Sequence, residues 1–400
     1  MPSHPISGFI LTLAALSCSA SARAEDDALL AKIPDNFAVA AAQYERMLES
    51  LQGDPKLPRT MVDGRVHTVG QRDWTSGFFP GSLWLLFDYT RDSKWREAAE
   101  DYTARLEGIK DFRGHHDVGF MLYCSYGQGL RLANPPGYRD VLLQGAASLA
   151  TRFQPEVGLI KSWDSAEWGY PVIIDNMMNL ELLEWAARTG GEERFRTIAV
   201  SHADRTLRNH FRADGSSFHL VDYNPESGAV QKKQTVQGVA NDSAWARGQA
   251  WGLYGYTMMY RETRTPAYLE QARKIAGFIL NHPRLPEDKV PYWDFDAPGI
   301  PDAPRDASAA AIMASALIEL SGYVEPAEGA RFLGLARQQL LSLSSPAYRA
   351  QPGGNGHFIL MHSVGHFGRG VEVDAPLNYA DYYFLEALLR YRAKTQSRMP

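Results

Sequence analysis

The chain is poor in cysteine, has no excess of positive charge, and contains no apolar run long enough to cross a membrane as a helix. Its only cysteines, Cys18 and Cys124, cannot build a disulfide framework. Lys and Arg number 41 against 46 Asp and Glu, a formal net charge of -5. No general field therefore attracts nucleic acid or an anionic membrane, and an acidic ligand would need a few well-placed cations. Period-two alternation of the β kind is scarce. There is no G-x-S-x-G nucleophile elbow and no P-loop. "HFILMHSVGH" sets His362 and His366 four apart, but Gly365 lies between them and no H-E-x-x-H pattern accompanies them, so no metal site is expected.

With 45% hydrophobic and 11% aromatic residues, the chain is suited to a large buried core rather than disorder. "ISGFILTLAALSCSASARA" is a short apolar run followed by small residues and the acidic "EDD". It reads as an export signal, residues 1–24, cleaved near Ala24. Acylation of Cys18 is the competing reading, for which "ALSC" is a poor match. Cleavage leaves Cys124, in "GFMLYCSYGQG", as a buried small hydrophobe.

Helical periodicity recurs over 35–51, 76–90, 93–109, 117–131, 137–153, 175–189, 192–210, 242–262, 266–281, 306–322, 328–344 and 378–394. Amphipathic segments such as "KWREAAEDYTARLEGI" alternate with segments apolar nearly all round, such as "ASAAAIMASALIEL", and the latter must be buried. Turns after the buried kind are short; the returning links are long. This pattern predicts an all-α double ring of six hairpins, an (α/α)6 barrel over residues 25–400 in one domain. Its long loops, rich in Trp, Tyr, His and Asp, gather at one end, where function is expected.

Asp117 and Asp175 each begin a buried-type helix. Each fits an N-cap, yet the double ring brings both to the loop-rich end near the axis. Two neighbouring carboxylates do not both ionise easily, which would leave one as a proton donor. Asn179 lies one turn after Asp175 on the same face, suggesting a polar cavity. Arg247 and Trp251, also four apart, read either as an ion pair and core or as a clamp and platform for an anionic ring. Trp74 and Trp163 read as core or as stacking surfaces, and His219 and Gln237 as surface polar residues or as ligands.

"DWTSGFFPGSLW", "HHDVGF", "IIDNMMNLELL", "DGSSFH", "QTVQGVANDSAWARGQAWGLYGY", "YWDFDAP" and "EVDAPLNYADYYFLEAL", in that order, resemble glycoside hydrolase family 88, the unsaturated glucuronyl hydrolases. The resemblance runs from about Trp74 to the end of the last helix and implies the same (α/α)6 barrel. By it, Asp175 is the general acid/base and Asp117 the second essential carboxylate. His219, Gln237, Arg247 and Trp251 would contact an unsaturated uronate, Trp74 and Trp163 would stack, and His116 would line the pocket. The chemistry implied is hydration of the C4=C5 vinyl ether of the terminal uronic acid in small oligosaccharides made by polysaccharide lyases. No metal, organic cofactor or nucleic acid enters that chemistry. The competing expectations are an unsaturated rhamnogalacturonyl hydrolase, a sugar epimerase built on paired histidines, and an exported glycan-binding protein without turnover.

Overall fold

The computed structural model describes the backbone of residues 9–190 and 192–396, with side chains from residue 28 onward. The segment read as a signal lies outside the described side chains, Cys18 with it. The described residues include thirteen α segments: α1 (Phe9–Ser50), α2 (Phe78–Thr90), α3 (Ser93–Ala104), α4 (Val118–Leu122), α5 (Gln128–Leu132), α6 (Tyr138–Ala150), α7 (Leu180–Arg188), α8 (Arg194–Asn209), α9 (Ala246–Thr263), α10 (Pro266–Asn281), α11 (Ala307–Leu320), α12 (Pro326–Leu343) and α13 (Asn378–Gln396). A π-helical turn, Tyr123–Gly127, joins α4 to α5 as one rod. Twelve rods result, one for each periodic segment of the sequence.

Burial decides which rods lie inside. In α11 every residue but Glu319 is buried, and α9 is buried from Ala246 through Met259. In α3 only Trp95, Ala99, Tyr102 and Thr103 are buried. The inner rods α2, α4–α5, α7, α9, α11 and α13 each touch the next, and α13 returns to α2, closing the ring. Outside it, α1 lies on α13 and α2, α3 on α2, α6 on α4, α8 on α7, α10 on α9, and α12 on α11. The chain is an (α/α)6 barrel. All inner rods begin at the same end, so every long link arrives there.

The long links also hold nine short strands, which the scarce alternation does not reveal. They are β1 (Leu57–Val62) with β2 (Arg65–Val69), β3 (Phe153–Gln154) with β4 (Leu159–Ile160), β5 (Tyr170–Ile173) with β6 (Leu220–Tyr223) and β7 (Val230–Gln234), and β8 (Ser363–His366) with β9 (Val371–Ala375). All four residues of β5 and of β6 are buried. Strands covered on both faces show no alternation. β1 and β2 do carry a signal: Asp63-Gly64 links them with φ of 50° and 75°, the Asp-Gly hairpin turn.

Candidate active site

Two close approaches bring the catalytic candidates together. A Cβ on Gly119 would lie 2.6 Å from the Asn179 Cα, and one on Gly255 would lie 2.5 Å from the Met177 Cβ. α4 and α9 therefore press directly against the 3-10 turn Ile174–Asn179, which carries Asp175. The sheet fixes the third member. β5 pairs antiparallel with β6, Ile173 opposite Leu220, and the Ile174 N–H donates to the His219 carbonyl at 3.0 Å. Asp175 and His219 thus leave the same sheet end side by side.

Neither aspartate caps a helix. Asp117 stands at the N-cap of α4 with no side-chain capping bond, and Asp175 lies within the 3-10 turn, whose N-cap is Ile173. Asp306, by contrast, accepts from the Ser308 and Ala309 N–H groups at the start of α11. The Asp117 carboxylate faces His115 Nδ1 at 3.2 Å and His116 Nε2 at 3.3 Å. Asn179 donates to it at 3.5 Å and accepts from the Phe120 N–H at 2.9 Å, so Asn179 serves the Asp117 side of the site. Asp175 is 7% exposed, and its Oδ2 is buried without a hydrogen-bond partner.

These surroundings separate the two carboxyls. Burial pushes Asp175 up to about 7; Arg247 opposes the shift and Asp117 adds to it. Burial also works on Asp117, but His116, His115 and Asn179 together bring it below the usual carboxylate range. One carboxyl holds a proton near neutrality while its neighbour is ionised, the division of labour of an acid and an anion. His219 is held neutral: burial drives its pKa well down, with Arg247 assisting. Its Nδ1 accepts the N–H groups of Val236 and Gln237 at 3.0 and 3.1 Å, which assigns the ring proton to Nε2. Nε2 has no hydrogen-bond partner of its own and stands 3.6 Å from Asp175 Oδ2.

Arg247 is 1% exposed. Its Nη1 donates to Asp306 at 3.3 Å and to the Val364 carbonyl; its Nη2 donates to Gln237 Oε1 and the Gly365 carbonyl, both at 2.7 Å. The guanidinium lies 4.5 Å over the Trp245 ring, and Trp245 packs against the His219 ring at 4.5 Å. Of the ion-pair and clamp readings, these are the contacts of an ion pair, with Nε alone left unpartnered. By engaging Gln237 Oε1, Arg247 leaves the amide NH2 as the end of that side chain able to donate to a ligand.

Trp251 is fully buried, packing on Phe120 at 5.0 Å and Tyr383 at 5.5 Å. Trp74 is partly exposed beside Phe120, Phe78 and Tyr379. Trp163 bridges His115 in a one-pair β contact and lies edge-on to Trp168. Trp251 is therefore floor, whereas Trp74 and Trp163 keep exposed ring surface. The sequence motifs do not single out Trp245, Asp306 or His115. Asp306 is legible in retrospect as "RDAS", an Asp two residues before a Ser at a helix start. Trp245 has no local signal, because its role is to fill the space between two distant side chains. Among the described residues no group of three metal-ligating side chains converges.

No family model matches the chain. Among curated proteins, an unsaturated glucuronyl hydrolase of Formosa agariphila is 47% identical over 87% of this chain and 88% of its own. An unsaturated chondroitin disaccharide hydrolase of Streptococcus pyogenes is 31% identical over 88% of this chain and 89% of its own. Among solved structures, an unsaturated glucuronyl hydrolase specific for heparin superposes with a TM-score of 0.88 at 46% identity, covering 91% of this chain and 98% of that one.

Proposed function

The chain belongs to the unsaturated glucuronyl hydrolases, glycoside hydrolase family 88, and from that premise we propose how its site works. It is a glycoside hydrolase that releases the terminal unsaturated uronic acid from glycosaminoglycan-type oligosaccharides. Asp175 gives its proton to C4 of the C4=C5 vinyl ether, and water adds its oxygen to C5 and returns a proton to the same carboxylate. The hemiketal so formed opens and the remaining sugar leaves. One observation carries this reading: a buried carboxyl with a free Oδ2 and a pKa near 7 beside an ionised one. Such a carboxyl is protonated at working pH yet able to let the proton go.

Asp117 keeps its charge to steady the cationic character that builds at C5. The amide NH2 of Gln237 and the Nε2–H of His219 offer donors for the uronate carboxylate, and Arg247 supplies the positive charge behind Gln237. Trp74 and Trp163 give ring surface for the sugar. We assign the segment from Gly353 to Asp374, with His357, His362, Ser363, His366 and Arg369, to the leaving-sugar side; β8 within it is anchored to Arg247 through two carbonyls. For localisation we propose export with cleavage near Ala24; a mature protein starting at Glu25 by mass spectrometry supports it, and a lipid on Cys18 overturns it.

The test is a panel of lyase-generated unsaturated disaccharides from heparin, chondroitin, hyaluronan and pectin, followed by loss of the conjugated-alkene absorbance. Turnover of a glycosaminoglycan member that disappears in Asp175→Asn is the expected result. Turnover of the pectin-derived member alone, or unimpaired turnover in the variant, overturns the assignment.

A further inference from the structure

A second hollow runs inside the inner ring from Gly119, Phe120 and Met178, below the two aspartates, to the opposite end. It has a volume of about 570 Å³, and its far end is bounded by the last turns of α2, α5, α7 and α13. Phe120 separates it from the catalytic end: its ring lines the hollow while packing on Trp74 and Trp251. Tyr383 does the same from α13 through its contact with Trp251. The wall includes Tyr123, Cys124 and Gly127 of the π-helical turn, a departure from α geometry that recurs at functional sites in other helices.

The polar groups around the hollow balance one another. Glu386 accepts from Tyr254, Ser315 and Arg390, and Arg390 also bridges Glu319. Glu181 pairs with Arg261, Asp88 with Arg131, and Arg188 with Glu262. A charged ligand would have to break one of these pairs and strand a partly buried partner, at a cost it does not recover. What the wall offers is aromatic surface, chiefly from the half-buried Tyr123 with Phe120, Trp185 and Tyr383 packed behind it, and a hydrogen-bonding pair in which Gln128 donates to the Tyr382 hydroxyl at 2.8 Å and accepts from Arg131, leaving one amide N–H and the Tyr382 O–H to donate. Flat apolar faces with a few hydrogen-bonding groups and no spare charge suit a pyranose ring with unmodified hydroxyls. The volume falls within the range of small-molecule sites.

We propose that this hollow is a second binding site, for a neutral saccharide of one or two rings, distinct from the anion-accepting site at the other end. Cys124 reports on it directly, being the one cysteine whose side chain is described and part of the wall. Wild-type protein is alkylated with iodoacetamide, with or without N-acetylglucosamine, galactose or glucuronate, and the rate at Cys124 is read by intact and peptide mass spectrometry. The neutral sugars should slow labelling several-fold and glucuronate should not. Calorimetry gives the second arm. N-acetylglucosamine should bind wild type and fail to bind Ala393→Trp, which fills the exposed mouth on α13, while that variant still turns over the unsaturated disaccharide. No heat in wild type, binding retained in Ala393→Trp, or protection by glucuronate as strong as by neutral sugars each overturns the proposal. Should the thiol resist alkylation without sugar, the calorimetric arm decides alone. Should Ala393→Trp fail to fold, the labelling of wild type decides.

Discussion

At the scale of single residues, function turns on how far burial moves one carboxyl. Asp175→Asn keeps the shape and removes the proton, so turnover should fall by about two to four orders of magnitude; steady-state kinetics on an unsaturated disaccharide measure it. The acid must be protonated to act, so wild-type kcat/KM should decline as pH rises through about 7. The same shift governs stability with a definite sign. The folded pKa lies above the unfolded value, so the folded state holds a proton that the unfolded state has lost. Stability from this group is complete below about 4 and is lost as pH rises toward 7. Asn never ionises, so above pH 7 the variant should be more stable than wild type, by on the order of 1 kcal/mol or more. Denaturant titration at pH 8 checks this, and a less stable variant there would mean Asp175 is satisfied as an anion.

Between elements, Arg247 ties the start of α9 to the α11 cap, to β8 and to Gln237. Arg247→Ala strands the Asp306 carboxylate and two carbonyls in the interior, and the loss of stability should be about 3–5 kcal/mol. Its charge also restrains Asp175, so the alkaline limb of the pH profile should move to higher pH in Arg247→Ala and stay in place in Arg247→Lys. A mere packing defect would lower activity without moving the limb. Gly119 is tested in the same way. Gly119→Ala pushes a methyl against the Asn179 backbone, and overpacking of about 1–3 kcal/mol with a loss of kcat is expected; thermal melts and kinetics measure both. Sequence periodicity makes the twelve rods legible because each buries a defined stripe or its whole circumference. It misses β5 and β6, four buried residues each, although their register is what sets Asp175 beside His219. It shows Asp117 and Asp175 as helix starts, but that neither caps follows only from the orientation of their carboxyls. Arg247 is legible as a charge that must be paired; its partners, up to 118 residues away, are not.

At the scale of the whole molecule, two sets of buried titratable groups act on stability in opposite directions. Burial lowers His116 and His210 to about 4 and drives His202 and His219 well below their ordinary value. Each is neutral in the fold and protonated in the unfolded chain below about 6.5, so its contribution is lost as pH falls through that window. Burial raises Asp175 and Asp381 to about 7, and their contribution is lost as pH rises from about 4 to 7. Asp294, Glu181 and Glu184 shift upward as well, but the hydrogen bonds to Asp294, and Arg261 and Arg196 beside the glutamates, oppose burial there. Each imidazole adds about 1.4 kcal/mol per pH unit to the slope and each fully shifted carboxyl subtracts as much. The four imidazoles outweigh the two carboxyls between pH 5 and 6.5; above 6.5 the carboxyls act together with His115, where burial is outweighed by Asp117 and the Arg72 carbonyl, which hold it above its ordinary value. Stability should therefore climb from pH 5 to about 6.5 and then level or decline slightly toward 8. Asp175→Asn, with one opposing carboxyl removed, should steepen the acid side and flatten the alkaline side. Urea midpoints at pH 5, 6.5 and 8 for both proteins measure this; a wild type more stable at pH 5 than at 6.5 would mean the buried imidazoles are charged in the fold, and His219 with them, which would remove the neutral Nε2–H donor from the site.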